Sequence, residues 1–266
     1  MRYLFIGGPA RSGTSAFGNL LNRHPRIALG TERYKYLYSR NRRAKTYTNF
    51  FWPTWMQWLT GSQPAPPEIG PHLFESERFF HYDKTDTNIG AHRLGNPKFQ
   101  RKFERATYRG DKVPSIMRFY PRLNEGIPQS RFIVVYRDVY RVCSSWNARA
   151  QNPEDSWPED KNFKTAVQAI NLELRRAADL QSQHPERCLI VRNENIFGPD
   201  GLDTLAAILD WLELRRHPKL TAAAQQKIEM GEKIKNKPLL EYDGQSEYVQ
   251  QNIDWSVIKR VEAVCV

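Results

Sequence analysis

The sequence predicts an α/β fold in three layers, in which helices cover both faces of a central parallel sheet. Three short apolar runs, at residues 3–6, 132–136 and 188–191, lack the alternation of half-buried strands and are typical of strands that are buried on both faces. Other stretches repeat their apolar residues with helical spacing. Strands that alternate with helices in this way form parallel sheets, because each crossover helix returns the chain to the same edge.

The first strand runs into a glycine-containing loop and then a helix. The apolar face of this helix carries Phe17, Leu20 and Leu21, and the pattern ends at Pro25. Residues 45–100 are rich in aromatic residues and proline and have little sustained periodicity. We therefore predict an insertion here that forms a lid or binds an acceptor.

Regular structure resumes in the second half of the chain. The predicted elements are a strand end near 108–114, a helix near 116–123, a helix over 139–150, a longer helix that ends before 184, and a helix around 205–212. The polar tail from about residue 232 has no assigned element. We expect a single domain over residues 1–266, with the insertion as part of it.

The composition narrows the function classes. A formal net charge of +11 favours anionic partners, whether nucleic acid, an anionic surface or a small ligand with several negative charges. The three cysteines are scattered, which argues against a disulfide framework or a metal cluster. With no signal peptide and no apolar run near the ~18 residues of a membrane helix, a cytoplasmic protein without a membrane anchor is expected.

The loop after the first strand has the spacing of a phosphate-binding loop. Gly8 and Gly13 form a Gly-x-x-x-x-Gly pattern, which curls backbone N–H groups around a phosphate at a helix N-terminus. A nucleotide triphosphatase has lysine after the second glycine, whereas this chain has Thr14, and Arg11 is the nearest cation. The sequence therefore predicts a P-loop-like fold that binds a 5′-phosphate other than a magnesium-bound triphosphate.

A second candidate phosphate-binding segment follows the strand at 132–136. Arg137 lies at the end of this strand, and Ser145 lies eight residues later. Together the two segments resemble those of sulfotransferases, which move a sulfuryl group from 3′-phosphoadenosine 5′-phosphosulfate (PAPS) to an acceptor and release PAP. Residues 7–15 are similar to the 5′-phosphosulfate loop of that family, and residues 137–145 are similar to its 3′-phosphate segment.

The resemblance implies roles for individual residues. The residues that it places around the 5′-phosphate are Arg11, Ser12, Gly13, Thr14 and Ser15. Arg137 and Ser145 would bind the 3′-phosphate, and Lys235 and Lys237 could close over it, as basic residues of a late loop do in the family. Lys112, in a segment similar to the family's Lys-Thr-Pro, would reach the oxygen that bridges phosphate and sulfate, with help from Arg11. No metal is required, because fixed donors and cations can stabilise a sulfuryl group.

Glu32 is the candidate general base for the acceptor, whose hydroxyl must lose a proton as it attacks sulfur. It lies 21 residues after Arg11, where tyrosyl-protein sulfotransferases and related carbohydrate enzymes carry a catalytic glutamate. The small-molecule sulfotransferases use a histidine at the position that Pro114 occupies here. The chain therefore resembles the glutamate-base type.

Two alternatives to this assignment stay open. Glu32 could instead be the first-turn carboxylate of a helix that has Thr31 as its N-cap. His81 and His92, both within the insertion, are the alternative bases.

The resemblance implies in-line transfer of the sulfuryl group to an acceptor hydroxyl of a small molecule, a carbohydrate or a peptide tyrosine. An ATP-dependent kinase is the first alternative, but it needs a lysine after Gly13 and an acidic residue at a strand end for magnesium. A basic nucleic-acid-binding module is the second, and neither a zinc-finger spacing nor an RNA-binding aromatic motif supports it. We therefore expect no nucleic-acid partner.

Overall fold

The computed structural model describes residues 1–34, 69–80, 96–235 and 242–266, with only the backbone described at 231–235. Its strands are β1 Arg2–Gly7, β2 Ile27–Thr31, β3 Tyr108–Lys112, β4 Arg131–Tyr136 and β5 Cys188–Arg192. They form one sheet in the order β2-β3-β1-β4-β5, and every neighbouring pair is parallel. The predicted central parallel sheet is confirmed.

Helices connect the strands and flank the sheet. The α-helices of the described residues are α1 Thr14–Leu21, α2 Ser76–Phe80, α3 Pro97–Arg105, α4 Tyr120–Gly126, α5 Val139–Ala150, α6 Phe163–Gln183, α7 Asn193–Ile196, α8 Gly201–Trp211, α9 Pro218–Lys235, α10 Gln245–Asn252 and α11 Trp255–Val264. Short 3₁₀ helices lie at Pro71–Phe74 and Ile116–Phe119. The predicted helix near 116–123 is therefore a 3₁₀ turn that continues into α4.

The sheet separates two hydrophobic cores. Phe5, Phe132 and Val134 point to one face, where the apolar residues of α5, α6 and α11 pack against them. Leu4 and Ile6 point to the other face, towards α1, α8 and α9. Successive side chains of a strand point to opposite faces of the sheet. A strand whose successive residues are all apolar is therefore buried on both faces. This arrangement confirms the three predicted layers.

The sequence did not predict the strand at one outer edge of the sheet or the pairing at the other. Strand β2 lies at the outer side of β3, and its central residues are Ala28, Leu29 and Gly30. At the opposite edge, the end of the chain pairs with β5: the amide of Val266 donates to the carbonyl of Ile190, and the amide of Arg192 donates to the carbonyl of Val266, both at 3.0 Å. This pairing satisfies backbone groups that an edge strand would otherwise expose.

The predicted insertion at 45–100 is described only in part. Its described residues include the 3₁₀ helix Pro71–Phe74, α2 and the start of α3. Phe74 and Phe79 are fully buried in the main core, and the Phe79 ring stacks on Phe103 at 4.3 Å between centroids. This part of the insertion packs as core, whereas the aromatic residues at 50–58 lie outside the described residues. The single domain over 1–266 stays a prediction.

Candidate functional site

The site lies at the carboxyl edge of the sheet, where all five strands end. The segment after β1 is the glycine loop, and the segments after β2 and β3 begin with Glu32 and Val113. Those after β4 and β5 begin with Arg137 and Asn193. Because the strands are parallel, these segments gather at one side of the molecule, where ligands of open α/β sheets bind.

The glycine loop adopts a tight conformation that needs its glycines. Gly8, Arg11 and Gly13 all have positive φ angles, of 128°, 74° and 89°. A Cβ atom on Gly8 would lie 2.2 Å from the carbonyl oxygen of Val135, so the loop packs directly against β4. Gly13 is the N-cap residue of α1 and makes no side-chain cap. The first-turn N–H groups of α1 and its dipole therefore face a position suited to an anion.

The hydroxyl groups of the loop differ in their surroundings. Ser12 is fully buried, and its Oγ has no hydrogen-bond partner among the described residues. Thr14 is 3% exposed, whereas Ser15 is exposed to solvent. A buried hydroxyl without a partner costs free energy, and an oxyanion bound in the loop would remove that cost.

The two predicted phosphate-binding segments meet. The Nε of Arg11 donates to the Oγ of Ser145 at 3.0 Å, although 134 residues separate them in sequence. A guanidinium nitrogen of Arg137 donates to the carbonyl of Arg11 at 3.3 Å. The indole of Trp146 donates to the carbonyl of Ala10 at 2.9 Å. These three bonds hold the loop against the start of α5.

Positive charge is concentrated at this junction. Burial lowers the pKa of Arg11, and the nearby guanidinium groups of Arg149 and Arg137 lower it further. Burial also lowers the pKa of Arg137, while Glu194, 3.9 Å from its Nε, acts in the opposite direction. Arginine stays protonated at neutral pH in spite of such shifts. The junction thus holds crowded, partly desolvated cations that an anionic ligand would stabilise.

Glu32 and Lys112 form a buried ion pair across the ends of β2 and β3. Their Oε1 and Nζ atoms are 3.1 Å apart, and the side chains are 17% and 4% exposed. The strand register explains the contact, because Thr31 is paired with Lys112 and the amide of Glu32 donates to the carbonyl of Lys112 at 2.8 Å. The stem of Lys112 packs beside Gly18 of α1. Lys112 therefore lies next to the helix that the glycine loop begins.

The turn that carries Glu32 has an unusual backbone. Glu32 has a φ of 59°, in the left-handed region, and directly follows the last residue of β2. The fully buried carboxylate of Asp111, in the neighbouring strand β3, accepts from the amide of Tyr34 at 3.4 Å and so helps to hold this turn in place. Burial raises the pKa of Asp111 to about 7. In the described residues, Glu32 is in a turn and not in a helix that Thr31 caps, which removes that alternative.

Glu173 of α6 supports the segment that follows Lys112. Its buried carboxylate accepts from the amides of Met117 and Arg118, at 3.1 and 2.8 Å. In the same segment, the amide of Ser115 donates to the carbonyl of Gly8 at 2.8 Å. The turn after β3 is therefore fixed on one side to the glycine loop and on the other to α6.

A comparison with known protein families identifies the family of this chain. A model of the sulfotransferase family matches residues 4–218. The chain belongs to the sulfotransferase family. A search of curated protein sequences finds no significant match.

Solved structures agree with the sulfotransferase fold. The sulfotransferase domain of the Synechococcus PCC 7002 olefin synthase has a TM-score of 0.54 and 14% identity, covering 99% of this chain and 94% of that domain. The sulfotransferase domain of the curacin biosynthetic pathway has a TM-score of 0.50 and 16% identity, covering 94% and 96% of the two chains. At such identities the likeness concerns the fold alone.

The sulfotransferase brings most of the predicted site residues to one edge of its sheet. Two clusters result, Arg11 with Ser145 and Arg137, and Glu32 with Lys112. His24, which the sequence analysis did not place in the site, is buried and accepts from the amide of Arg26, while its other ring nitrogen contacts the carbonyl of Arg215. Its contacts are those of a structural residue.

Some predicted residues lie outside the described residues. They are Lys237, the side chain of Lys235, His81 and His92. The residues that the sequence reasoning missed are Trp146, Asp111, Glu173 and Glu194, each of which positions a predicted residue or its segment. The signal that could have found Glu173 is an acidic residue on the otherwise apolar face of α6. Strand β3 is itself mostly polar, so its sequence carries no such signal for Asp111.

The described residues meet neither the requirements of a membrane-spanning helix nor those of a metal site. No described helix is long and apolar enough to cross a membrane. Among residues 1–34, 69–80, 96–235 and 242–266, no group of three or more histidine, cysteine or acidic side chains is placed to hold a metal ion.

The buried carboxyl group of Glu173 should make the free energy of unfolding of the protein depend on pH. Burial raises its pKa from 4.5 to about 7, although the amides of Arg118 and Met117 act in the opposite direction. Between these values the folded state holds more protons than the unfolded state, so the free energy of unfolding falls as pH rises, by up to about 1.4 kcal/mol per pH unit. Glu173→Gln removes this contribution. Urea denaturation from pH 5 to 7.5 should show the wild type losing stability relative to the variant as pH rises.

The difference in stability between the wild type and Glu173→Gln reports on the Glu173 carboxyl group alone. Asp111 titrates with the same sign, and His24, whose pKa burial lowers, has the opposite sign. Both are present in each protein, so their contributions cancel in the difference. Stability curves that stay parallel over this pH range would contradict a raised pKa for Glu173.

Proposed function

We propose that this sulfotransferase takes PAPS as its donor and transfers the sulfuryl group to an acceptor hydroxyl, with Glu32 as the base. The observation that carries the proposal is the contact between Arg11 of the glycine loop and Ser145 of α5, 3.0 Å apart, with Arg137 bonded to the same loop. A 5′-phosphate loop and a 3′-phosphate segment that meet in this way suit a nucleotide phosphorylated at both positions.

The residues fit such a nucleotide on physical grounds. The cradle after β1 exists only because Gly8 has no side chain, since a Cβ there would overlap the backbone of Val135. The buried Oγ of Ser12 lacks a partner among the described residues. The N-terminus of α1, together with the partly desolvated Arg11 and Arg137, favours dianionic groups. Thr14 and Ser15 would add donors from the first turn of the helix.

When bound, PAPS supplies an activated sulfuryl group. Lys112 and Arg11 would neutralise the negative charge that develops on the leaving phosphate oxygen as the S–O bond breaks. Glu32 would accept the proton of the acceptor hydroxyl as its oxygen bonds to sulfur. The proton would thus end on the Glu32 carboxylate, and the electron pair of the broken S–O bond would stay on the leaving phosphate oxygen, beside Lys112. Fixed cations perform this stabilisation, so the mechanism requires no metal.

The ion pair between Glu32 and Lys112 supports these roles. It places the proposed base and the proposed leaving-group cation 3.1 Å apart, beside the helix that follows the glycine loop. A neighbouring cation favours the charged form of a carboxylate, and this is the form that can accept a proton. Glu32 directly follows β2, at the carboxyl edge of the sheet where the glycine loop also lies.

The acceptor is proposed only as a class, a hydroxyl on a phenol, a sugar or a peptide tyrosine. The kinase alternative has less support, because Thr14 follows Gly13 where a kinase loop has lysine, and Arg137 follows β4 where magnesium would need an acidic residue. The mixture of cations and rings in residues 33–40 is compatible with each acceptor class.

Arg137→Ala tests the 3′-phosphate assignment. Hydrogen bonds to charged groups contribute about 1.5–3 kcal/mol, so PAP affinity should fall about 10- to 100-fold. The affinity for 5′-AMP, which has no 3′-phosphate, should fall much less, because the variant then loses only the bond from Arg137 to the carbonyl of Arg11 in the glycine loop. Isothermal titration calorimetry with both ligands measures the difference.

A matched control removes the same charge elsewhere. Arg216 is exposed in the loop between α8 and α9, and Arg216→Ala should leave both affinities unchanged. Equal losses of PAP and 5′-AMP binding in Arg137→Ala would contradict a contact with the 3′-phosphate.

A further inference from the structure

A second cation-lined cavity lies at the opposite edge of the sheet from the glycine loop. It has a volume of about 590 Å³ and is lined by Pro25, Arg26, Lys98, Arg101, Lys102 and Arg105. Arg26 directly precedes β2, and α3 ends just before β3, so both elements reach the cavity where the strands begin. Lys102 donates to the carbonyl of Asn22, which is the C-cap of α1. Helix α1 therefore separates this cavity from the proposed donor site at its other end.

Helix α3 is built to present these charges on one face. Lys98, Arg101, Lys102 and Arg105 follow the i, i+3, i+4, i+7 spacing of a single helical stripe, which spans about 10 Å along the axis. The opposite face of the helix carries Phe99 and Phe103, which are buried in the core. The packing of these rings fixes the orientation of the cations towards the cavity.

Two of the five cations have a structural role and three do not. Lys102 binds the carbonyl of Asn22, and Arg26 binds the carbonyl of Arg105. Lys98, Arg101 and Arg105 are exposed and make no ion pair with any residue that the structure describes. The acidic residue of α3, Glu104, accepts from Ser76 instead and does not line the cavity.

This arrangement differs from that of two other arginines near the surface. Arg131 pairs with Glu213 at 2.7 Å, and Arg260 pairs with Asp179 at 2.8 Å. Each of these guanidinium groups has a carboxylate partner, whereas the described residues that line this cavity are five cations and Pro25. Like charges held this close repel one another, and a bound anion with several charges would relieve the repulsion.

We propose that this cavity binds a compact polyanion that carries several phosphate or sulfate groups. Its volume is that of a small-molecule site, and its arginines present the forked donors that bind oxyanions. The described residues that line it include no aromatic ring, so they offer no stacking surface for the bases of single-stranded nucleic acid. Pro25 is the one apolar residue among these described lining residues, which therefore lack the apolar anchors of a protein interface.

The test uses two polyanions of different chemistry, inositol hexakisphosphate and sucrose octasulfate, titrated into the full chain in 150 mM salt. The variant Lys98→Gln with Arg101→Gln removes two cavity charges and leaves Lys102 and Arg26 in place. The matched control, Lys227→Gln with Lys259→Gln, removes two exposed charges elsewhere. We expect one-to-one binding by the wild type, a loss of tenfold or more in the cavity variant, and a change within about twofold in the control. The tighter of the two ligands assigns the site to phosphate or to sulfate groups.

Further binding measurements distinguish this cavity from the proposed donor site and from a nucleic-acid-binding surface. PAP affinity should be the same in the cavity variant and the wild type, and polyanion affinity should be the same in Arg137→Ala. Absence of polyanion binding, equal losses in the cavity and control variants, or a loss confined to Arg137→Ala would overturn the proposal. A single-stranded oligonucleotide that binds more tightly than both polyanions, and loses affinity in the cavity variant, would also overturn it. Failure of PAP to bind would contradict the proposed donor and leave the cavity result intact.

Discussion

The Glu32→Gln variant should transfer sulfuryl groups about 10²- to 10⁴-fold more slowly than the wild type, because it loses the proposed proton acceptor of the reaction. Glutamine has nearly the same size and can still accept a hydrogen bond from Lys112 and keep the turn after β2. Glu32 pairs with Lys112, which lies outside the glycine loop, so PAP affinity should stay within about threefold.

The measurement uses labelled PAPS and the acceptor that gives the highest rate in a screen of phenols, sugars and tyrosyl peptides. Glu125→Gln, at an exposed position of α4, is the matched control and should retain full turnover. Unchanged turnover in Glu32→Gln would remove Glu32 from the mechanism and leave His81 and His92 as the candidate bases.

The Lys112→Met variant should lower turnover by about 10²- to 10³-fold, the effect of removing one charged group that stabilises developing negative charge. Methionine keeps an unbranched stem that can pack beside Gly18. The loss leaves Glu32 without its partner in a largely buried position, so some loss of thermal stability is also expected. Turnover should therefore be measured at a temperature at which circular dichroism shows the variant to be folded.

A control and a double variant distinguish catalysis from stability. Lys227→Met replaces an exposed lysine of α9 and should change neither property. Because Glu32 and Lys112 contact each other, the double variant should lose less activity than the product of the two single losses. A Lys112→Met protein that is folded and fully active would contradict the proposed stabilisation of the leaving group.

The sequence predicted the layers of the fold well, because strands buried on both faces are continuous apolar runs. It did not predict β2, whose five residues include Ala28 and Gly30 and resemble a loop as much as a strand. It also missed the helices after residue 241 and the pairing of Val266 with β5. That pairing joins residues far apart in the chain, and local patterns carry no signal for it.

The site shows the same division. The roles of Arg11 and Ser145 were expected from the two phosphate-binding segments, and the structure brings the two side chains into contact. The ion pair between Glu32 and Lys112 could not be predicted, because it depends on β2 lying beside β3 with Thr31 opposite Lys112. Strand order and register are tertiary properties, which periodicity along the chain does not encode.

A calorimetric titration with PAP and, separately, with ADP, both in EDTA, tests the central claim most directly. The two ligands share the 5′-phosphate loop, and only PAP has a 3′-phosphate for Arg137 and Ser145. The proposed donor site predicts tight binding of PAP and weak binding of ADP without any metal. Equal binding of the two ligands, or binding of neither, would contradict it.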